Sequence, residues 1–318
     1  MTATIRPIRP TDFARILRFR HQAESSQITA HHWPNIQPES ARFPVPRILS
    51  HSVARAAGAR VLGAWRDQQL DGLVVGRPRS SGVVWDIERL YGADDQTCAD
   101  LLDQLGGFAV RAGARRVFIQ SPAESRGRVI AQKAGYERYM SERLYRLVPP
   151  FNSKLPNPFP ARPRLRADEQ SLFQLYCAAV PAQVRAAEAM TREEWLSLHH
   201  GPRIWKPSLF GDRHQYLWQY GEVVVAWLEI VYGARSQFLE FVLHPDYERL
   251  LDGMIASALA QTSEKAPVYA SARTYQDTLA SGLERVGFVE VANTDLYVRQ
   301  LAARSLEPAL VPAKLVSG

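Results

Sequence analysis

Few side chains in this sequence have types and spacings that could do chemistry together. His31-His32 and His199-His200 are adjacent pairs. Neighbouring residues point apart on a strand or a helix, so neither pair chelates well, and no carboxylate spacing supplies a third ligand. No metal site is expected. Cys98 and Cys177 form no C-x-x-C pair and no disulfide framework. Cys98 has Asp94, Asp95 and Asp100 close by in sequence, a setting that raises a thiol pKa and argues against a nucleophile. Both thiols read as reduced and structural.

Charge narrows the partners. Residues 1–150 hold 22 Lys and Arg against 14 Asp and Glu, a balance of +8; the remainder holds 17 against 18, or −1. The first half could attract an anion. Its basic residues are nearly all Arg, however, scattered singly and not interleaved with aromatics, so no nucleic-acid partner is expected. No apolar run approaches the 18 residues of a membrane span, and the N-terminus lacks a signal-peptide core. A soluble cytoplasmic protein is the expectation; oligomeric state is open.

The elements that must position any site come twice. Lys133–Leu147 reads KAGYERYMSERLYRL and Arg285–Arg299 reads RVGFVEVANTDLYVR. Gly135 and Gly287, Leu144 and Leu296, and Tyr145 and Tyr297 are each separated by 152 positions. A repeat this long is a whole domain. Residues 1–147 form the first copy and 164–304 the second. Residues 148–163 carry six prolines and read as a semi-rigid linker; 305–318 read as a flexible tail.

Each copy shows the same order. A short strand (Ile5–Arg9; Arg164–Arg166) leads into a helix with Thr11 or Asp168 as candidate N-cap. A segment rich in His, Trp and Pro follows. Three meander strands come next: Val61–Trp65, Leu70–Val75 and Val83–Tyr91, then Tyr216–Tyr220, Val223–Val231 and Gln237–Leu243. An amphipathic helix presents Leu101, Leu105, Phe108 and Ala109, or Leu251, Met254, Ile255, Ala258 and Leu259. A strand (Arg116–Gln120; Val268–Ser271), a helix stopped at Gly135 or Gly287, and a final strand pair complete the unit. The fold class is a mixed α/β (α+β) sheet protein with two tandem units, their two sheets packed around the linker.

This order, with Ile87–Gly92 (IERLYG), Leu239–Tyr247 (LEFVLHPDY) and the two late-helix Gly-aromatic stretches, resembles the GNAT superfamily of acyl-CoA-dependent N-acyltransferases. The resemblance implies acetyl-CoA or another acyl-CoA as cofactor and a small-molecule primary amine as acceptor. It assigns pantetheine contacts to the central strand near Val242 and His244, and pyrophosphate contacts to Arg249 and Gly253. It makes Glu240, and Glu88 in the first copy, the candidate bases. Trp33, Trp195 and Trp205 fall in segments that would roof the acceptor pocket.

Departures from the family pattern are equally plain. The phosphate loop of pattern Q/R-x-x-G-x-G/A is kept in neither copy. In the first, Asp94 and Asp95 stand at the helix start; a carboxylate ~6 Å from a phosphate costs roughly 3 kcal/mol at an effective dielectric of 20. In the second, Arg249 and Gly253 are spaced one residue too far apart. The family's Tyr acid is replaced by Ala131 and Leu283, with Tyr275 the nearest substitute. Any activity is therefore expected in the second copy. The alternative is a non-catalytic protein of this fold that binds a small ligand or a partner.

Overall fold

The computed structural model describes residues 3–23, 27–29, 48, 58–79, 82–150, 160–188, 191–192, 195, 212–233 and 235–301. The tail at 305–318, most of the linker, both His pairs, Trp33 and Trp205 lie outside these residues.

The first copy contributes β1 (Thr4–Pro7), α1 (Phe13–Ala23), β2 (Arg60–Arg66), β3 (Gln69–Pro78), β4 (Val84–Gly92), α2 (Asp95–Arg111), β5 (Arg116–Pro122), α3 (Arg126–Lys133) and β6 (Glu137–Leu147). The second contributes β7 (Arg162–Pro163), α4 (Glu169–Ala179), α5 (Ala182–Glu188), β8 (Asp212–Tyr220), β9 (Val223–Tyr232), β10 (Gln237–Leu243), α6 (Leu251–Ala260), β11 (Val268–Arg273), α7 (Asp277–Arg285) and β12 (Val289–Gln300). The mixed α/β character expected of the sequence is the one observed. No described helix is long and apolar enough to cross a membrane.

The two opening turns show why similar sequence gives similar local structure. Asp12 accepts from the Arg9 backbone N–H at 2.9 Å and holds Arg6 in a bidentate pair at 2.8 Å. Asp168 does the same for Leu165 N–H at 2.7 Å and Arg162 at 2.7 and 2.8 Å. In both, the carboxylate caps a 3-10 turn that precedes the helix. Asp12 and Asp168 thus bond back to the residue before a 3-10 turn, whereas Thr11 and Asp168 were expected to cap the helix start itself; Asp168 makes no such side-chain bond to α4. The opening strands also end earlier, at Pro7 and Pro163, because that 3-10 turn needs the residues that follow. Gly135 and Gly287, with φ of 74° and 101°, sit in the left-handed region that ends α3 and α7.

Two further expectations are corrected. Each unit closes with one long strand, not a pair, and the strands form one sheet rather than two. Its order is β1-β2-β3-β4-β5-β12-β6-β11-β10-β9-β8-β7. The closing strands are exchanged. β12 pairs with β5 of the first copy, from Thr294↔Pro122 to Gln300↔Arg116, and β6 pairs with β11 of the second, from Leu147↔Val268 to Glu142↔Arg273. β6 and β12 also pair with each other at the centre. The cores follow the exchange. Tyr297, 1% exposed, packs among Trp85, Ile130 and Tyr136 of the first copy. Tyr145, fully buried, packs among Leu228, Leu283 and Phe288 of the second. The tyrosine of each Leu-Tyr motif thus serves the other copy's core, whereas Leu296 packs with Leu172, Leu175 and Trp227 of its own copy. Exchange of an identical element is a low-cost way to join two like units.

Candidate active site

Each copy contains one parallel strand pair, and each such pair opens after three residues. β4 and β5 pair from Val84↔Arg116 to Asp86↔Phe118; β10 and β11 pair from Gln237↔Val268 to Leu239↔Ala270. Beyond those points the strands diverge and their facing backbone groups need other partners. The copies supply them differently.

In the first copy the gap is filled by backbone. Ile28 N–H donates to Leu90 O at 2.9 Å, and Ser121 Oγ donates to Ile28 O at 2.9 Å. Leu90 N–H reaches Thr29 Oγ1 at 3.3 Å, and Gln27 bridges Tyr91 as an antiparallel partner. Ile28 is buried in the first core. Residues 27–29 therefore lie between the splayed strands and bond both. At the mouth of the same gap Asp94 caps α2, accepting from Thr97 N–H at 2.7 Å and Thr97 Oγ1 at 2.8 Å. Those bonds hold its carboxyl below the usual carboxylate range. Glu88 is turned to Arg77, at 3.4 Å. Cys98 is buried beneath, its thiol pushed up to about 12, chiefly by burial.

In the second copy, among the described residues, a side chain spans the gap. Gln276 accepts from Arg273 N–H at 3.0 Å and donates to Phe241 O at 3.1 Å. Before α6 comes a 3-10 turn, Pro245–Leu250, that begins at His244 and whose Leu251 N–H bonds back to Glu248 O. His244 Nδ1 accepts from Asp246 N–H at 3.3 Å. The turn thus supplies partners that a bare helix start would leave open. Arg249 is exposed, and Gly253 lies in the first turn of α6.

Glu240 faces the side of the sheet covered by α4. It is the register partner of Glu229, which is buried and held by Arg213 at 2.8 and 3.0 Å and by Gln215 at 2.9 Å. Glu240 keeps some exposure toward a cleft but is ringed by protein, and it has no hydrogen bond among the described residues. Burial, then the Glu229 charge, raises its pKa to about 7, against the opposing pull of Arg273.

That cleft encloses about 50 Å³. Glu240 and Val242 line it together with Arg273, Tyr275, Trp195 and Glu142. Behind the wall, buried Glu188 accepts from Tyr176 OH at 2.8 Å and from Arg273 at 3.3 Å, and its carbonyl accepts from Arg116. Arg273 also reaches Tyr275 OH at 3.3 Å. Of the residues singled out in sequence, then, Glu240 and Val242 meet in one cleft. His244, Arg249 and Gly253 do not line it, and Glu88 belongs to the other copy's gap. Trp195 is buried against Phe173 and Tyr176 and also lines the cleft, so packing and lining are one role. Ala131 and Leu283 are fully buried and offer no hydroxyl.

Glu142, Glu188, Arg273, Gln276 and residues 27–29 were not legible as site residues. Glu142 lies on β6, a strand of the first copy, and reaches the second copy's cleft only through the exchange. Arg273 and Gln276 carry no motif. Their one signal is position, at the end of the strand after the splay.

No family model matches the chain, and no curated protein does. Solved structures do. A tandem GNAT protein from the clavulanic acid biosynthesis pathway, determined without AcCoA, aligns over 94% of this chain and 99% of its own, at 12% identity and a TM-score of 0.51. A GCN5-related N-acetyltransferase from Sphaerobacter thermophilus covers 94% and 96%, at 15% identity and 0.50. A putative acetyltransferase from Pyrococcus horikoshii covers 95% and 91%, at 10% identity and 0.50. The chain therefore has the GNAT fold, in its tandem form. At these identities the likeness concerns the fold alone.

Proposed function

We propose that this chain is an acyl-CoA-dependent N-acyltransferase that works from its second copy and acts on a small primary amine. One observation carries the reading. Among the described residues the second copy's gap is bridged by the Gln276 amide, and beside it stands a carboxyl poised near neutrality, whereas the first copy's gap is packed with main chain.

The fit to acyl-CoA is uneven. The opening between β10 and β11 offers Phe241 O and the following strand backbone to an amide-bearing arm once Gln276 swings away. The 3-10 turn before α6 is a poor pyrophosphate cradle, leaving Arg249 as the nearby cation. Bound there, acyl-CoA would supply the activated acyl carbon. Glu240 accepts a proton from the incoming amine and returns it to solvent. A base with pKa near 7 is matched to that task. The apolar and aromatic wall of Trp195 and Tyr176 excludes water from the cleft. No buried hydroxyl at Leu283 assists the thiolate, which can leave without one.

The second reading is a non-catalytic protein of the same fold that binds a small ligand or a partner. The 3-10 turn, which takes up backbone donors at the start of α6, favours it. Calorimetric titration with acetyl-CoA separates the two. Low-micromolar binding, weakened about tenfold in Arg249→Ala and abolished in Gly253→Glu, supports the enzyme. Absence of heat at millimolar acetyl-CoA removes acetyl-CoA as its cofactor.

A further inference from the structure

The Gln276 bridge has the polarity of a bound chain. Parallel pairing of β10 and β11 stops at Leu239↔Ala270. Past that point Gln276 Nε2 donates to Phe241 O at 3.1 Å, and Gln276 Oε1 accepts from Arg273 N–H at 3.0 Å. One amide thus gives a donor to one strand and an acceptor to the other, as the peptide groups of an extended chain between them would. The main chain of Gln276 is held separately. Its N–H donates to Arg273 O at 2.8 Å, and its carbonyl accepts from Ala280 N–H at 3.0 Å at the start of α7. The residue is partly exposed and lines the cleft beside Glu240 and Val242. Rotation of its side chain toward solvent opens the gap without moving a strand or a helix. The first copy has no such freedom, because Ile28 fills its gap with main chain and is itself buried in the core.

A ligand that bonds both strands must take both places from Gln276. We propose that Gln276 is a built-in competitor: it occupies the gap of the free protein and yields to a ligand that carries secondary amides in an extended arm, as the pantetheine arm of acyl-CoA does. The inference rests on the acyltransferase reading and concerns regulation of the same site. Apparent affinity is the intrinsic affinity reduced by the fraction of molecules whose side chain is swung out. A ligand without an amide leaves Phe241 O and Arg273 N–H unpartnered when it pushes Gln276 aside, so the exchange of bonds opposes it. The bridge therefore weakens binding of the right ligand and discriminates against an amide-free one. A structural brace acts in the opposite sense, since removing it loosens the strands and weakens binding.

The test uses the full chain, with pantetheine and acetyl-CoA as probes and mercaptoethanol as an amide-free thiol. Calorimetry is expected to show Gln276→Ala binding pantetheine about tenfold more tightly than the parent. Gln276→Asn, whose side chain is too short to span both strands, should tighten it by a similar factor. Thermal melts confirm folding, and the folded variant decides if the other fails to fold. Without ligand, exchange of the Arg273 amide should quicken in both variants. In the parent, saturating pantetheine should shift the NMR signals of the Gln276 side-chain amide. Affinity unchanged or weakened in the folded variants would overturn the proposal, as would unmoved Gln276 signals at saturation or equal tightening for mercaptoethanol. Failure of pantetheine to bind any of the three proteins also overturns it. Acetyl-CoA separates the two levels. If it binds the parent and binds the variants no more tightly, the competitor falls and the acyltransferase reading stands. If pantetheine binds the variants more tightly and acetyl-CoA binds none of the proteins, the competitor stands and the acyltransferase reading falls.

Discussion

The same gap between parallel strands is solved in two ways within one chain. In the first copy Ile28 threads the opening between β4 and β5 and bonds Leu90 and Ser121. In the second, Gln276 bridges β10 and β11 with a side-chain amide. The central-strand glutamates differ in parallel. Glu88 faces Arg77, but Glu240 faces Glu229, which stands exactly 152 positions after Arg77. An ion pair fixes a carboxylate as a structural group. A like-charged neighbour in a dry setting leaves the carboxyl able to take and give a proton near pH 7. The two like units thus differ by the sign of one charge beside the central-strand glutamate.

The largest effect expected tests whether the copies are independent at all. Tyr297→Ala removes a ring buried in the first core, and Tyr145→Ala one buried in the second. Each should cost about 3–5 kcal/mol in denaturant unfolding. Hydrogen exchange should show Tyr297→Ala loosening β2 to β5, and Tyr145→Ala loosening β8 to β11. Loosening of each residue's own copy instead would contradict the exchange.

Next in size is the pH dependence at Glu240. Its native pKa is about 7 against an ordinary 4.5. The native state therefore keeps the proton longer than the unfolded chain does. Stability contributed this way is complete below pH 4.5 and falls as pH rises toward 7, by up to about 3 kcal/mol. Glu240→Gln should abolish that fall and leave the variant more stable than the parent at pH 8. A parallel pH–stability curve for parent and variant would remove Glu240 from the role of poised base.

A smaller effect probes the filled gap. Ser121→Ala deletes the hydroxyl that holds Ile28 O and should cost about 1 kcal/mol. Exchange of the Ile28 and Leu90 amides should quicken while the second copy is unaffected. Unchanged protection at Ile28 would show that the segment does not depend on that bond.

Much of the scaffold was legible because its signals are local. The apolar runs at Val61–Trp65 and Val223–Val231, the amphipathic faces of α2 and α6, and the stops at Gly135 and Gly287 depend on residues close in sequence. The place of Glu240 on the strand Gln237–Leu243 was legible too. Thr11 misled because a 3-10 turn precedes the helix, and its last residue, Asp12, reaches back to the Arg9 N–H rather than forward to the helix start. Arg273 and Gln276 were not legible, since a lone Arg or Gln after a strand has many ordinary uses.

By itself the sequence determined that its pattern comes twice, where most of the strands and helices fall, and that the family's phosphate loop and helix Tyr are missing. It could not determine which closing strand joins which sheet. β6 and β12 carry the same Leu-Tyr pattern, so each fits the edge left by either copy, and pairing within or across copies looks alike in one dimension. Only the tertiary structure decided for exchange. That decision placed Glu142 in the second cleft, while pairing within each copy placed residues 27–29 in the first gap and Glu229 beside Glu240. Those three placements depend on through-space proximity in a low-dielectric interior, which sequence separation does not encode.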